Sequence, residues 1–404
     1  MTWQPKPIAA ITHVVTKGTT PTTLGKQFTD SGVNFIKAEA LNGDSGLDDA
    51  GFFHIDEDTH QLLGRSVLQE DDVLVTIAGA HIGKCGYVKA DYLPANTNQA
   101  VGIVRVDKEE AIPRFVYYFF KQPSTFALCQ SLGGQAAQPN VNLTVLKSIE
   151  VALPNLGVQE AIAGILSAYD DLIENNRRRM ALLEDAARQL YREWFVRLRF
   201  PGHEHTRLTN GVPEGRERVP TPDVVNINPP TKLSDEVEQW SVEMADLPLN
   251  NMAIQQPARR EGRSGSKFKN GDTLFARITP CLENGKTAFV DFLQEGEVAR
   301  GSTEFIVFRS RRLTPEFVYC LARTYDFREN AIKSVVGSSG RQRVQESCFE
   351  KFLILVPSGT LLDVFTESMR PMFRQVKTLH SQNQKLRAAR DLLLPRLMSG
   401  EIAV

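Results

Sequence analysis

Leu153-Pro-Asn-Leu-Gly-Val-Gln-Glu-Ala-Ile-Ala-Gly-Ile-Leu166 and, 203 residues on, Val356-Pro-Ser-Gly-Thr-Leu-Leu-Asp-Val-Phe-Thr-Glu-Ser-Met369 decide how this chain folds. Laid on one another, the two stretches stay in step to the end without a gap. Ile162 falls on Phe365, Tyr169 on Met372, Ile173 on Val376, Leu183 on Leu386, Leu190 on Leu393 and Trp194 on Leu397. Within each copy a row of residues returns in alternating steps of four and three. One row is Ile162, Leu166, Tyr169, Ile173, Asn176, Met180, Leu183, Ala187, Leu190 and Trp194. The other is Phe365, Met369, Met372, Val376, Leu379, Asn383, Leu386, Arg390, Leu393 and Leu397. Such spacing, held over four heptads, is the seam of a coiled coil, because it keeps one stripe of the helix against a partner. At 1.5 Å per residue each helix extends roughly 50 Å. Thr360-x-x-Asp363 has the form of a capping box, and Gly157–Glu160 holds the matching place in the first copy. Pro395 and Ser399-Gly400 mark the end of the second helix.

The repeat also fixes a pairing. If a two-fold axis crossing the helices relates the copies, the helices run antiparallel, with 162 opposite 397 and 173 opposite 386. Asn176 then lies opposite Asn383, and the amides satisfy one another while pinning the register. A parallel pair would set Asn176 against Leu379 and leave the amides unpartnered among apolar side chains, which is costly.

Upstream the repeat continues with small gaps. Asp72-Val-Leu74 answers Asp272-Thr-Leu274, Gly83-Lys84 answers Gly285-Lys286, and Phe115-Val-Tyr117 answers Phe317-Val-Tyr319. These regions hold short β-type runs broken by Gly, Asn and Pro: Val73–Ile77, Val101–Val106, Phe305–Phe308 and Phe352–Val356. Short helices are expected at Arg114–Gln122 and Pro315–Thr324. The fold class that follows is α+β, with two mixed globules (1–153 and 217–356) alternating with two long helices (154–200 and 357–404). The turn-rich segment 201–216 joins the repeats.

At 404 residues, with 42% apolar and 24% charged residues, the chain has the composition of an ordinary soluble protein of two or more domains. No apolar run is long enough to span a bilayer, and Met1-Thr-Trp-Gln-Pro-Lys lacks the apolar core of a signal peptide. Five cysteines without a Cys-x-x-Cys pair point to a reducing, cytoplasmic setting and away from a structural zinc or disulfide framework. The net charge of −1 does not advertise a nucleic-acid binder, so any basic surface must be local.

Several strings imitate catalytic motifs. Pro280-Cys-Leu-Glu-Asn-Gly285-Lys286-Thr287 resembles a phosphate loop, but a proline stands for its first glycine. The following Ala288-Phe-Val-Asp-Phe292 reads as a strand where a helix N-terminus is required. Gly79-Ala-His-Ile-Gly83-Lys84-Cys85 is one residue short and lacks the hydroxyl. Both are better read as glycine-bearing hairpins with an exposed lysine. Asn228-Pro-Pro-Thr231 has threonine where adenine methyltransferases carry the aromatic ring that stacks on the flipped base, and a loop turn is the better account. The acids of 44–58 and Glu70-Asp-Asp72 lack metal-site spacing, and no histidine has a Glu-x-x-His partner.

Polar loops recur at equivalent places in the two globules. Gly133-Gly-Gln-Ala-Ala-Gln-Pro-Asn140 follows one short helix and Gly337-Ser-Ser-Gly-Arg-Gln-Arg343 the other. Asn and Gln match the adenine edge with two hydrogen bonds, and Arg does the same for guanine. The candidate DNA-contacting residues are Gln135, Gln138 and Asn140 in one loop, and Arg341, Gln342 and Arg343 in the other. Asn98 and Gln99, Arg277, and Ser302 with Thr303 join them. Lys84 and Lys286, on glycine turns, suit phosphate contacts that position without reading. Arg259-Arg-Glu-Gly-Arg263 adds local positive charge, and Arg177-Arg-Arg179 lies on a helix face.

The layout resembles the specificity subunit of a type I restriction–modification system over nearly the whole chain. The resemblance rests on Leu153–Leu166, Leu172-Ile-Glu-Asn-Asn-Arg177, Tyr191-Arg-Glu-Trp-Phe195, Val242-Glu-Met-Ala-Asp-Leu-Pro-Leu249 and Arg390-Asp-Leu-Leu-Leu-Pro-Arg-Leu-Met-Ser-Gly-Glu-Ile402. It implies two target-recognition domains, each on a short half-site of double-stranded DNA, and an antiparallel coiled coil whose length sets the unread spacing. It also implies two adenine-N6 methyltransferase subunits and ATP-driven restriction subunits as partners. S-adenosylmethionine, ATP and Mg²⁺ would then reside on those partners, with no cofactor or catalytic residue in this chain. The alternative reading is a duplicated coiled-coil scaffold that organises protein partners without reading DNA.

Overall fold

The computed structural model of the chain describes residues 3–42, 46–134, 140–337 and 342–404. They form two compact units, Met1–Asn175 with Gln384–Val404, and Asn176–Asn383. Each unit therefore takes residues from both long helices.

The duplication extends to sheet topology. In the first unit a four-stranded antiparallel sheet runs, in spatial order, Thr12–Lys17, Val101–Val106, Val73–Thr76, Cys85–Tyr87. In the second the order is Val225–Ile227, Phe305–Ser310, Thr273–Ala276, Thr287–Phe289. All four positions of Val73–Thr76 and of Thr273–Ala276 are buried, so these strands are mainly apolar rather than alternating, each with one buried threonine. A short pair closes each globule: Gln4–Pro7 with Glu150–Leu153, and Glu217–Pro220 with Leu353–Val356. Each globule also has a second sheet containing one parallel pair, Val33–Ile36 with Ala95–Thr97 and Glu238–Val242 with Ala299–Gly301.

One buried ion pair repeats atom for atom. Asp72 accepts from Arg105 Nε at 2.8 Å and Nη2 at 2.7 Å, and from the Gln69 amide at 2.8 Å. Asp272 accepts from Arg309 at 2.7 Å twice and from the Lys269 amide at 2.8 Å. A carboxylate so enclosed is tolerated only because its lone pairs are satisfied by a forked guanidinium and a backbone donor.

The long helices are Leu156–Tyr191 and Gly359–Met398. Their caps lie earlier than the capping-box reading placed them. Asn155 Oδ1 accepts from the Val158 amide at 3.0 Å, and Ser358 Oγ from the Leu361 amide at 3.4 Å. Pro154 and Pro357 disfavour helical backbone in the residue before them and cannot donate a hydrogen bond, so the residue directly after each is the first able to cap. Thr360 already lies inside the helix. The second helix continues through Pro371 and Pro395 and stops at Gly400, whose φ of +74° needs glycine. After Tyr191 the first helix widens into a π-type turn, Arg192–Val196. The extra residue per turn lets the consecutive Trp194 and Phe195 both enter the core.

Within each unit the helices pack antiparallel. In the first, Ile162 and Leu166 share a core with Leu394, Leu397 and Met398. In the second, the Trp194 and Phe365 rings are 5.9 Å apart, and Asn176 Nδ2 donates to Asn383 Oδ1 at 3.0 Å with both residues buried.

Buried polar contacts tie each globule to the helices. Asp170 accepts from Tyr118 Oη at 2.8 Å, Lys121 Nζ at 3.3 Å and Arg390 Nη1 at 2.6 Å. Burial alone would raise the Asp170 carboxyl, but Lys121 and Arg390 outweigh it and hold the carboxyl below its usual range. In the second unit Tyr319 Oη donates to Glu184 at 2.7 Å and Arg323 lies 3.9 Å away.

Two further stretches have definite structural roles, the second as its loop-turn reading anticipated. Segment 201–216 is not merely a connector: it carries a hairpin, Leu208–Thr209 with Val212–Pro213, and belongs to the second unit. Asn228-Pro-Pro-Thr231 is structural. Asn228 exchanges two hydrogen bonds with Val307, at 2.8 and 2.9 Å, and Thr231 Oγ1 accepts from Arg309. Among the described residues no helix is long and apolar enough to cross a membrane.

Candidate nucleic-acid interface

In the first unit three segments converge at the end of the Val73–Thr76/Cys85–Tyr87 hairpin. The Ile77 amide donates to the Ala100 carbonyl at 2.8 Å, the Val141 amide to the Ile77 carbonyl at 2.8 Å, and Ala78 forms a β-bridge with Asn140. Gly83 makes the tight hairpin possible. Its φ is +89°, and a Cβ there would stand 2.9 Å from the Cys129 Cβ. Thr76, Asn98 and Asn140 line an open cleft of about 460 Å³ with Ala78, Gly79 and Ala100, and Glu39 and His81 also border it. Thr76 Oγ1 and Asn98 Oδ1 are buried and have no hydrogen-bond partner among the described residues. Gln99 is exposed, and its Oε1 accepts from the Thr20 amide and hydroxyl.

The second unit repeats this stitching with different side chains. The Arg277 amide donates to the Glu304 carbonyl at 3.0 Å, the Val344 amide to the Arg277 carbonyl at 2.9 Å, and Ile278 bridges Arg343. Arg277, Glu304 and Arg343 thus occupy the places of Ile77, Ala100 and Asn140. Arg343 grips Glu304 through Nε at 2.9 Å and Nη2 at 2.6 Å. That hydrogen-bonded pairing lowers the Glu304 carboxyl below its ordinary range and raises the Arg343 guanidinium. Arg277 reaches Glu346 and the Val344 carbonyl, each at 3.3 Å. Ser302 Oγ accepts from the Glu304 amide at 3.1 Å, Thr303 is exposed, and Gln342 exchanges backbone-anchored bonds with Thr279.

The lysines were expected to be exposed, and both are half-buried because the hairpin ends fold against neighbouring segments. They are not alike. Lys286 Nζ donates to the Met244 carbonyl at 2.7 Å, whereas the Lys84 ammonium has no hydrogen-bonded or ionic partner among the described residues. The positive charge of 259–263 is compensated locally: Arg259 pairs with Glu236 and Glu297, Arg260 with Glu243 and Arg263 with Asp235. Gln135, Gln138 and Arg341 lie outside the described residues. Thr76, Glu39 and His81 carried no signal as site residues in the sequence. Glu304 did stand beside the chosen Ser302 and Thr303, but its partner Arg343 is 39 residues away. Among the described residues no group of three or more His, Cys, Asp or Glu could hold a metal ion.

Comparison with known proteins adds an independent finding. A family model described as "Type I restriction modification DNA specificity domain" matches residues 1–185. The chain is 24% identical to the type I restriction enzyme MjaIX specificity subunit of Methanocaldococcus jannaschii, over all of this chain and 94% of that one. It is 30% identical to the EcoEI specificity subunit of Escherichia coli over 37% of this chain and 26% of the relative. Among solved structures, the S subunit of a type I restriction–modification system from M. genitalium superposes with a TM-score of 0.54 at 14% identity. That match covers 98% of this chain and 95% of the other. At this identity the shared property is the fold.

Proposed function

We propose that this chain is a specificity subunit of a type I restriction–modification system and reads a split, asymmetric double-stranded DNA target with one half-site per globule. One observation carries the reading. Two globules of the same topology present different polar side chains on the same backbone scaffold, Asn98 and Asn140 in one and Arg277, Glu304 and Arg343 in the other. Two copies of a frame with unlike side chains are what an asymmetric bipartite target requires, since amides, guanidinium and carboxylate each match different base edges. Residues 1–153 and 217–356 are the recognition domains in this proposal. Residues 154–200 and 357–404 are the spacer helices, joined through 201–216.

The chain is a non-catalytic subunit. In the proposal it works in the cytoplasm with two adenine-N6 methyltransferase subunits, and with restriction subunits where present. S-adenosylmethionine, ATP and Mg²⁺ are supplied there. Lys84 meets phosphate, Gln99, Ser302, Thr303 and Gln342 border the reading surface, and Lys286, held by Met244, positions its hairpin.

The test is a map of N6-methyladenine in a host with and without this gene, beside its methyltransferase partner. A split, asymmetric motif that depends on the gene is the expected result. Absence of any dependent motif, with an assembled and active methyltransferase, would transfer the assignment to a protein scaffold. Lys84→Ala is expected to weaken binding to all sequences alike and to flatten the slope of log K against log salt by about 0.9.

A further inference from the structure

Building on the DNA-reading role above, we infer that the two globules read opposite base-pair chemistries within one equivalent region, through side chains at different positions of it. The cleft holding Asn98 takes an adenine edge, and the Arg343–Glu304 pair takes a G·C edge.

The backbone bonds around this region are the same in the two globules. Ile77 to Ala100 and Val141 to Ile77 in one unit are Arg277 to Glu304 and Val344 to Arg277 in the other. In the first unit the walls at Ala78, Gly79 and Ala100 are small, which leaves the cleft open. Two of its lining residues, Thr76 (1% exposed) and Asn98, hold the buried oxygens Thr76 Oγ1 and Asn98 Oδ1, which have no hydrogen-bond partner among the described residues. A buried acceptor without a partner is unfavourable in the free protein and becomes favourable when a ligand supplies a donor. Adenine presents a donor at N6 beside an acceptor at N7 on its major-groove edge, which a carboxamide meets with one acceptor and one donor. Guanine presents two acceptors there. A carboxamide always points one oxygen at the base, so guanine would leave one of these oxygens facing another acceptor.

In the second unit Glu304 and Arg343 replace Ala100 and Asn140. Glu304 holds the guanidinium along its Nε–Nη2 edge, at 2.9 and 2.6 Å. The other edge, Nη1 with Nη2, is left to face outward on a side chain 47% exposed. That edge carries only donors and fits O6 and N7 of guanine, and it repels the N6 amino group of adenine. Glu304 sets the plane of the fork in advance and can accept from N4 of a cytosine.

The experiment maps N6-methyladenine for the full chain co-expressed with its methyltransferase subunits. Parent, Asn98→Ala, Asn98→Asp, Arg343→Ala and Arg343→Lys are compared. Asn98→Ala is expected to lower discrimination about tenfold at a single A·T position of one half-site and to leave the other half-site intact. Arg343→Ala is expected to do the same at a single G·C position of the other half-site. Arg343→Lys, which keeps the charge without the fork, should fail to restore it. The unaffected half-site in each map shows that the variant folds and assembles. Should Asn98→Ala abolish the whole motif, Asn98→Asp decides. With acceptors alone, it is expected to move the preference at that position from adenine toward cytosine. The inference is overturned if both variants alter the same half-site or neither alters any. It is also overturned if the Asn98 position is G·C or the Arg343 position is A·T. A parent that yields no dependent motif removes the DNA-reading role itself, and the inference with it.

Discussion

Asp170 draws donors from two regions far apart in the sequence: Tyr118 and Lys121 on a short helix, and Arg390 on the second long helix. Burial lowers the Lys121 ammonium, so the cluster stands only while the carboxylate is present. Asp170→Asn would remove the carboxylate that Lys121 and Arg390 share, while Arg390 keeps its contact with Asp391. The expected cost is about 3–5 kcal/mol, seen as a lower urea midpoint for the first unit. Asp291 supplies the opposite case. Burial pushes its carboxyl from 3.8 up to about 6, and Lys377 only partly opposes this. Between those values the folded chain keeps a proton that the unfolded chain has released, so stability falls as pH rises through the window. Asp291→Asn is therefore expected to stabilise the protein at pH 7 by on the order of 1–2 kcal/mol, discounted for its partial exposure. The gain should vanish near pH 4, as paired thermal melts at the two pH values would show. Neither Asp170 nor Asp291 was marked by its sequence neighbours. Their environments are assembled from residues far along the chain.

At the scale of elements, the seam was plainly written. Its 3-4 alternation is a local property of one helix, and a two-fold axis relating the repeats gave the antiparallel pairing that sets Asn176 against Asn383. That pair makes a direct test. Asn176→Ala is expected to cost about 1–3 kcal/mol by removing a buried donor to Asn383 Oδ1. Replacing both by leucine should recover most of that loss while admitting slipped registers, detectable as heterogeneous cysteine cross-links along the helices. Helix ends were harder to read. The hydroxyl and carboxylate of Thr360 and Asp363 suggested a cap, yet the position of Pro357 gives that role to Ser358. The π-type turn at Arg192–Val196 left no mark in the apolar row, because that row needs only Trp194 and the added Phe195 falls outside its spacing.

At the scale of the whole molecule, residues 384–404 belong with the first unit although they close the chain. They bring Arg390 to Asp170 and place Leu394, Leu397 and Met398 in the core with Ile162 and Leu166. Gly400 lies against Trp3, where a Cβ would stand 3.0 Å from the ring. Deleting 384–404 is expected to expose the first unit's sheet to hydrogen exchange while Thr273–Ala276 and Phe305–Ser310 stay protected. Equal loss in both units would contradict the division. By itself the sequence determined the duplication, the two α+β globules, the long helices and their antiparallel register. Each is encoded by a period or a repeat that runs along the chain. Tertiary structure alone decided which polar side chains share a place: Asn98 and Thr76 line one open cleft, Arg343 pairs with Glu304, and Arg277 pairs with Glu346. The latter two pairs span 39 and 69 residues. No periodicity carries such distances, and only the backbone bonds between loop segments bring these residues to one place.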